Sequence, residues 1–307
     1  MKTVRIEGTA RKGREDMYRI MNVGAQPGGE AFLLVTEEKA ALIDTGFAHS
    51  AGRMIDNIKK ALGRRSLDYV LLTHSHYDHA SGSVYCKREW PQAQVLGSAY
   101  AAEVFKKDSA RRLILEMNQN AAKLAGAAVY EDLTDGLAVD KVVREGDRID
   151  LGPLALRVID APGHTRCCIA FFSEKEKLLI ACETLGVPVG DGLVMPCYMT
   201  DYTVAMASVM KMAACEPEAI LVPHFGVWKG EKCREFIGNA IFWNAEAMRW
   251  IWREYAAGKS EEDLKKLFRE RFYTKEIAKF QPEKAFLLNA SYTVPMLVRE
   301  IKARMEK

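Results

Sequence analysis

Residues 74–79 read His-Ser-His-Tyr-Asp-His, which puts three imidazoles and a carboxylate within six positions. Imidazole nitrogens and carboxylate oxygens are the donors that hold first-row divalent cations. The run follows Tyr69, Val70, Leu71 and Leu72, an apolar stretch that reads as a buried strand. Along a strand, alternate side chains share a face. Where the strand ends and the backbone turns, His74, His76, Asp78 and His79 can be aimed into one cavity. A solvated polar loop is the rival reading, and it does not explain why three of the chain's six histidines gather at one strand end.

Two further histidines share that context. His164 lies in Asp160-Ala161-Pro162-Gly163-His164-Thr165, a sharp turn after an apolar strand over 154–159. His224 lies in Pro223-His224-Phe225-Gly226, directly after Ile220, Leu221 and Val222. Taken singly, each reads as a loop or core histidine at least as readily as a ligand. Glu183 closes another apolar strand, and a carboxylate placed there can bridge two cations or simply face solvent. Five histidines and two carboxylates are enough donors for two metals, each with an open position. His49 has no strand-end context and is expected at the surface. The seven cysteines are irregularly spaced, with no C-x-x-C pair, and read as reduced core residues.

Elements able to position these groups alternate along the chain. Strands are predicted over 31–35, 41–43, 69–72, 94–96, 154–159, 169–172, 178–181 and 219–222, with helices over 51–62, 99–107, 110–124 and 202–214. The fold class is therefore α/β. Beyond Gly226 the pattern becomes helical. A long amphipathic stretch covers 231–255, Ser260 to Asp263 form a capping-box start for a helix through Phe272, and a last helix is predicted over 292–305 with Pro295 in its first turn. Residues 1–228 are expected to form the catalytic domain, and 229–307 a helical extension packed on it.

At 307 residues and 49% apolar content the chain can bury a large core. Its 44 basic and 41 acidic side chains give a net charge of +3, which offers a phosphate backbone little general attraction, so nucleic acid is not expected as a partner. Arg5, Arg11, Lys12, Arg14 and Arg19 interrupt the N-terminal stretch where a signal peptide needs an apolar run. No segment approaches the roughly 18 apolar residues of a membrane span. A cytoplasmic protein without membrane association is expected, and a homodimer is left open.

With these motifs the chain resembles the metallo-β-lactamase-fold superfamily. The resemblance runs from Val23 to Val227: the Asp44-Thr45-Gly46 turn, the HxHxDH run, Gly163-His164, a strand-end acid and a late strand-end histidine, in that order. It implies an αββα sandwich with the metals in a shallow cleft at one edge. It also implies that His74, His76 and His164 hold one metal, that Asp78, His79 and His224 hold the other, and that Glu183 takes the bridging place. Two features depart from the family pattern: Glu183 stands where aspartate is usual, and Pro223 directly precedes the last histidine. A looser resemblance, in ligand order and in the helical appendage, points to the branch that includes the quinolone-signal response protein, an aminobenzoylacetyl-CoA thioesterase.

Two cations sharing a water lower its pKa toward about 7 and so generate a nucleophile at neutral pH. The expected activity is hydrolysis of an ester, thioester, lactone or phosphoester of a small molecule, with Asp78 orienting the nucleophile and receiving its proton. Zinc and iron suit the donor set equally, with manganese as an alternative. Asp44 is expected either to orient a ligand imidazole or to form a plain Asx turn. Met195, Tyr198, Trp243, Trp250, Phe286 and Tyr292 are candidates for an apolar substrate pocket, although aromatic residues at helical spacing are more often core. Two rival functions remain: an iron-dependent redox enzyme on the same ligands, and a regulatory protein whose appended helices bind a partner.

Overall fold

The computed structural model describes residues 6–7, 17–127, 129–279 and 281–306. The basic residues Arg5, Arg11, Lys12 and Arg14 lie outside the described residues. Two sheets carry the fold. The first runs in the order β1 (Ile6–Glu7), β2 (Tyr18–Asn22), β3 (Phe32–Thr36), β4 (Ala40–Ile43), β5 (Tyr69–Leu71), β6 (Gln94–Ser98) and β7 (Lys141–Val143). The second runs β15 (Gly226–Lys229), β14 (Ala219–Val222), β11 (Leu178–Ile180), β10 (Ile169–Ser173), β9 (Ala155–Asp160) and β8 (Arg148–Asp150). A separate hairpin joins β12 (Val187–Gly190) to β13 (Leu193–Met195).

The period-two pattern of the strands builds three apolar layers. Phe32, Leu34, Ile43, Leu71 and Leu96 of the first sheet face Leu156, Val158, Phe171, Ile180 and Leu221 of the second. The alternate residues Leu33, Val35, Leu42, Val70 and Val95 point outward, under α1 (Ala51–Leu62), α3 (Ser83–Glu89), α4 (Ala99–Lys106) and α5 (Asp108–Leu124). On the far side Ile159, Phe172, Leu179 and Ile220 meet Val209 and Met212 of α6 (Tyr202–Ala213) and Phe236 of α7 (Glu231–Ala256). The result is the expected αββα sandwich. The short α2 (Tyr77–Ala80) lies within the histidine run itself.

Strand direction explains why the chemistry collects at one edge. β4 and β5 are parallel. β9 and β11 are both antiparallel to β10, and β14 is parallel to β11, so β9, β11 and β14 also share a direction. Where these strands end, the backbone N–H of Ile169, opening β10, donates to the carbonyl of Thr73 just past β5 at 2.9 Å. That bond ties the two sheets together at the edge where all five strands finish.

β2, β7 and β8 were not legible in the sequence because Arg19, Lys141, Arg148 and Asp150 break up their apolar runs. β1, β12, β13 and β15 also lie outside the strands expected from the sequence.

The C-terminal helices share a core with the hairpin: Phe268 and Phe272 of α8 (Glu261–Phe272) and Phe286, Val294 and Leu297 of α9 (Glu283–Met305) cluster with Val187 and Met195. Residue 228, the expected division, falls inside β15, and Phe236 and Ala240 of α7 belong to the outer layer of the second sheet. The predicted capping box is present, with Ser260 Oγ accepting from Asp263 N and Asp263 Oδ2 accepting from Ser260 N, both at 3.2 Å.

The last helix differs from the prediction. It begins at Glu283, and Pro295 lies in its interior. Proline removes one helical hydrogen bond and ordinarily costs about 3 kcal/mol there. Here Ser291, whose carbonyl loses its partner, is exposed, and burial of Phe286, Ala290, Val294, Leu297 and Ile301 along one face outweighs the defect.

Candidate metal centre

Each candidate chelating side chain leaves the end of a strand at the shared edge. His74, His76, Asp78 and His79 follow β5, His164 follows β9, Glu183 follows β11 and His224 follows β14. Their donor atoms form two groups: His74, His76, His164 and Glu183 in one, and Asp78, His79 and His224 in the other, with the atoms of each group within 4.8 Å of one another. Tight local packing sets these turns. A Cβ on Gly163 would stand 2.4 Å from Thr184 Cγ2, and Gly46, at φ 63°, would place one 2.5 Å from the carbonyl oxygen of Gly29. Thr184 Oγ1 accepts from His164 N at 3.1 Å and donates to Ala161 O at 2.7 Å, which locks the histidine loop to the neighbour of Glu183.

Glu183 stands between the groups. Its Oε2 lies 2.7 Å from His164 Nε2 and 3.7 Å from His74 Nε2. Its Oε1 lies 3.2 Å from His224 Nε2 and 4.0 Å from His79 Nε2. Each oxygen thus faces a different set of imidazoles.

The outer nitrogens of four histidines are held in ways that fix their tautomers. Asp44 follows β4 in a left-handed conformation, φ 53°. Its Oδ1 accepts from Thr73 N, and its Oδ2 accepts from Thr73 Oγ1 and from His79 Nδ1, all at 2.8 Å. Because the Thr73 hydroxyl proton goes to Asp44, its oxygen accepts from His74 Nδ1 at 3.0 Å. His164 Nδ1 donates to Cys197 O at 2.7 Å, and His224 Nδ1 donates to Glu30 Oε2 at 3.0 Å. Four imidazoles therefore turn Nε2, rather than Nδ1, toward the cavity. His76 instead presents Nδ1, 3.0 Å from His164 Nε2.

The cavity matches divalent cations on its own evidence. His74 Nε2 and His79 Nε2 are buried and have no hydrogen-bond partner among the described residues, a costly arrangement unless an electron-pair acceptor occupies the space. Electrostatics divide the imidazoles. Burial, reinforced by the neighbouring imidazoles, holds His74 well below its ordinary value, and burial with His164 lowers His76 to about 3. Burial also opposes charge on His79 and His164. The carboxylates of Asp78 and Asp44 in one case, and of Glu183 in the other, outweigh it and raise both to about 9. Burial pushes Asp78 above its ordinary value, while His164 and the other imidazoles draw Glu183 well below its own despite its burial.

All seven candidate chelators read from the sequence converge, and Asp44 orients the imidazole of His79. The substrate-pocket candidates do not converge. Tyr198 is 0% exposed, its hydroxyl bonded to Asn244 O at 3.0 Å, and Met195 is buried against the helical core, so neither has surface to offer a ligand. Trp250 and Phe286 are buried as well. Trp243 is half-buried and donates to Gly192 O at 3.0 Å, whereas Tyr292 is exposed on α9. Helical spacing drew these side chains into packing, which corrects the expectation for Met195 and Tyr198. His49 is half-buried rather than a surface residue: it stacks on Phe47 with ring centroids 5.4 Å apart, and its Nε2 lies 3.0 Å from Gln26 Oε1.

Sequence reasoning passed over Thr73 and Glu30. Thr73 adjoins the motif and could have been found there. Glu30 meets His224 across 194 positions and carries no local signal. The cysteines are all free, and all but Cys215 are buried. No helix among the described residues is long and apolar enough to cross a membrane.

The family model of the metallo-β-lactamase superfamily matches residues 27–224. Glyoxylase B2 of Dictyostelium discoideum is 30% identical over 121 residues, covering 39% of this chain and 36% of that protein. A hydroxyacylglutathione hydrolase of Methylobacterium sp. is 32% identical over 130 residues, covering 42% of this chain and 38% of that protein. The match thus spans little more than a third of either relative's length. Among solved structures, a metallo-β-lactamase family protein of Thermus thermophilus superposes with a TM-score of 0.56 at 16% identity, covering 94% of this chain and 91% of that one. At that identity the likeness is one of fold.

Proposed function

Because the chain belongs to the metallo-β-lactamase superfamily, we propose that it is a metal-dependent hydrolase with a dinuclear centre, acting on an ester, thioester, lactone or phosphoester of a small molecule. The observation that carries this reading is the position of Glu183, whose two oxygens face two separate donor groups. His74, His76 and His164 would hold one ion, Asp78, His79 and His224 the second, and Glu183 would reach both. Imidazole and carboxylate donors without a thiolate suit zinc or iron, with manganese as the alternative. When bound, such ions polarise a substrate oxygen and lower the pKa of water to about 7.

The chain's own groups divide the remaining work. The Asp44, Thr73, Cys197 and Glu30 contacts keep Nε2 of four imidazoles pointed into the cavity. Asp78, placed in the second donor group, is positioned to take the proton that the attacking water releases. In thioester cleavage a bond forms from the water oxygen to the carbonyl carbon, the carbon–sulfur bond breaks, and the proton leaves with the thiolate. The name of the hydroxyacylglutathione hydrolase relative favours thioesters as the first substrates to test.

The test is metal analysis of the freshly purified protein together with turnover of a panel of thioesters, lactones and phosphodiesters. Two ions per chain and metal-dependent turnover of one class are expected. A protein that binds two ions but turns over none of the panel would leave this reading without its activity.

A further inference from the structure

Glu30 lies in the loop between β2 and β3, outside every segment that supplies a chelator. Its Oε2 accepts from Gly28 N and from His224 Nδ1, each at 3.0 Å. The Glu30 side chain is 12% exposed and that of His224 6%, so water screens the contact only weakly. His224 itself adopts φ 65°, a left-handed conformation unusual for a residue with a Cβ, which persists only where its surroundings enforce it. The imidazole is engaged at both nitrogens: Nδ1 by Glu30, and Nε2 facing Glu183 Oε1 at 3.2 Å.

The two donor groups are held by different chemistry. In the first, the outer nitrogens of His74 and His164 bind neutral oxygens, the hydroxyl of Thr73 and the carbonyl of Cys197. In the second, both imidazoles are gripped by carboxylates, His79 by Asp44 and His224 by Glu30. A carboxylate behind an imidazole fixes its tautomer and makes it a stronger donor. Asp44 also reaches the first group, through Thr73 and His74, whereas Glu30 contacts His224 alone among the chelators.

We propose that Glu30 is a positioning residue that selectively sets the affinity of the Asp78, His79 and His224 site, by holding the His224 proton on Nδ1 and its lone pair on Nε2. The proposal rests on the two-ion reading of the centre. Glu30 acts on the site through its contact with His224.

The experiment loads the full chain with cobalt(II) and removes it by stepped chelator dialysis, reading bound cobalt per chain and the visible spectrum. Wild type, Glu30→Ala and Glu30→Gln are compared, with the melting temperature of each metal-free protein. Glu30→Ala is expected to release one cobalt at about 10- to 100-fold lower chelator strength, to keep the other at wild-type affinity, and to lose the spectral component of one site. Glu30→Gln can still accept from Nδ1 through its amide oxygen, so it should fall between the other two, and it also serves if the alanine variant does not fold. Release of both ions together with a lower metal-free melting temperature would mark Glu30 as structural and overturn the proposal. Two ions held as in wild type by either variant would overturn it too. A wild-type chain that binds one cobalt at saturation would instead remove the dinuclear reading on which it stands.

Discussion

Glu183 Oε2 lies 2.7 Å from His164 Nε2, although the two residues leave different strands of the second sheet and are 19 positions apart in the chain. The other carboxylate oxygen faces His224 and His79, so this one side chain reaches both donor groups. Glu183→Gln keeps the shape and removes the charge. Metal content of that variant should fall below two per chain in elemental analysis, and turnover should fall with it. Retention of both ions would show that Glu183 does not hold the two sites together.

His76→Ala and Asp78→Ala separate a hydrolase from a binding protein. His76 supplies the one Nδ1 in its donor group, and Asp78 the one carboxylate in its own. Each substitution should abolish measurable kcat while the far-ultraviolet circular dichroism of the chain is unchanged. Turnover at the wild-type rate in both variants would place the chemistry elsewhere.

Asp44→Asn tests the network behind the ligands. The carboxylate accepts from Thr73 N, Thr73 Oγ1 and His79 Nδ1, and an amide in its place presents two donors among those three. Metal affinity should weaken by about 10- to 100-fold, measured by competition with a chromophoric chelator. Unlike the Glu30 variants, this one should weaken both sites, because Thr73 passes the contact on to His74.

Metal loading should release protons. His79 and His164 are raised to about 9 in the metal-free protein, and each must shed its Nε2 proton before it can act as a ligand. Apparent affinity should therefore rise with pH through about 9. For stability the sign is opposite: these two groups stabilise the metal-free fold fully below the unfolded value of 6.5, and that contribution is lost as pH climbs through 9. Titration calorimetry at pH 7 in two buffers of different ionisation enthalpy counts the protons, and a count of zero would refute the assignment.

Tyr198→Phe separates packing from substrate contact. The hydroxyl donates to Asn244 O in a fully buried setting, and its loss should cost about 1–3 kcal/mol in urea unfolding. KM for whichever substrate is turned over should not change. A raised KM with unchanged stability would return Tyr198 to the substrate pocket.

The sequence by itself determined the two sheets' central strands, the helices over 51–62 and 231–255, and the seven side chains whose donor atoms come together, because strand ends marked by histidine or an acid after an apolar run are local patterns. It did not determine β2, β7 and β8, where Arg19, Lys141, Arg148 and Asp150 interrupt the apolar period, nor the start of α9, where burial of one helical face overrides Pro295. Only the tertiary structure decided which imidazole nitrogen faces the cavity, that Tyr198 is packed away from ligands, and that Glu30 stands behind His224. The physical reason is range. A strand, a cap or a strand-end ligand is set by neighbours a few positions away, whereas a hydrogen bond such as that between Glu30 and His224 exists only after 194 residues of chain have folded the two sheets onto one edge.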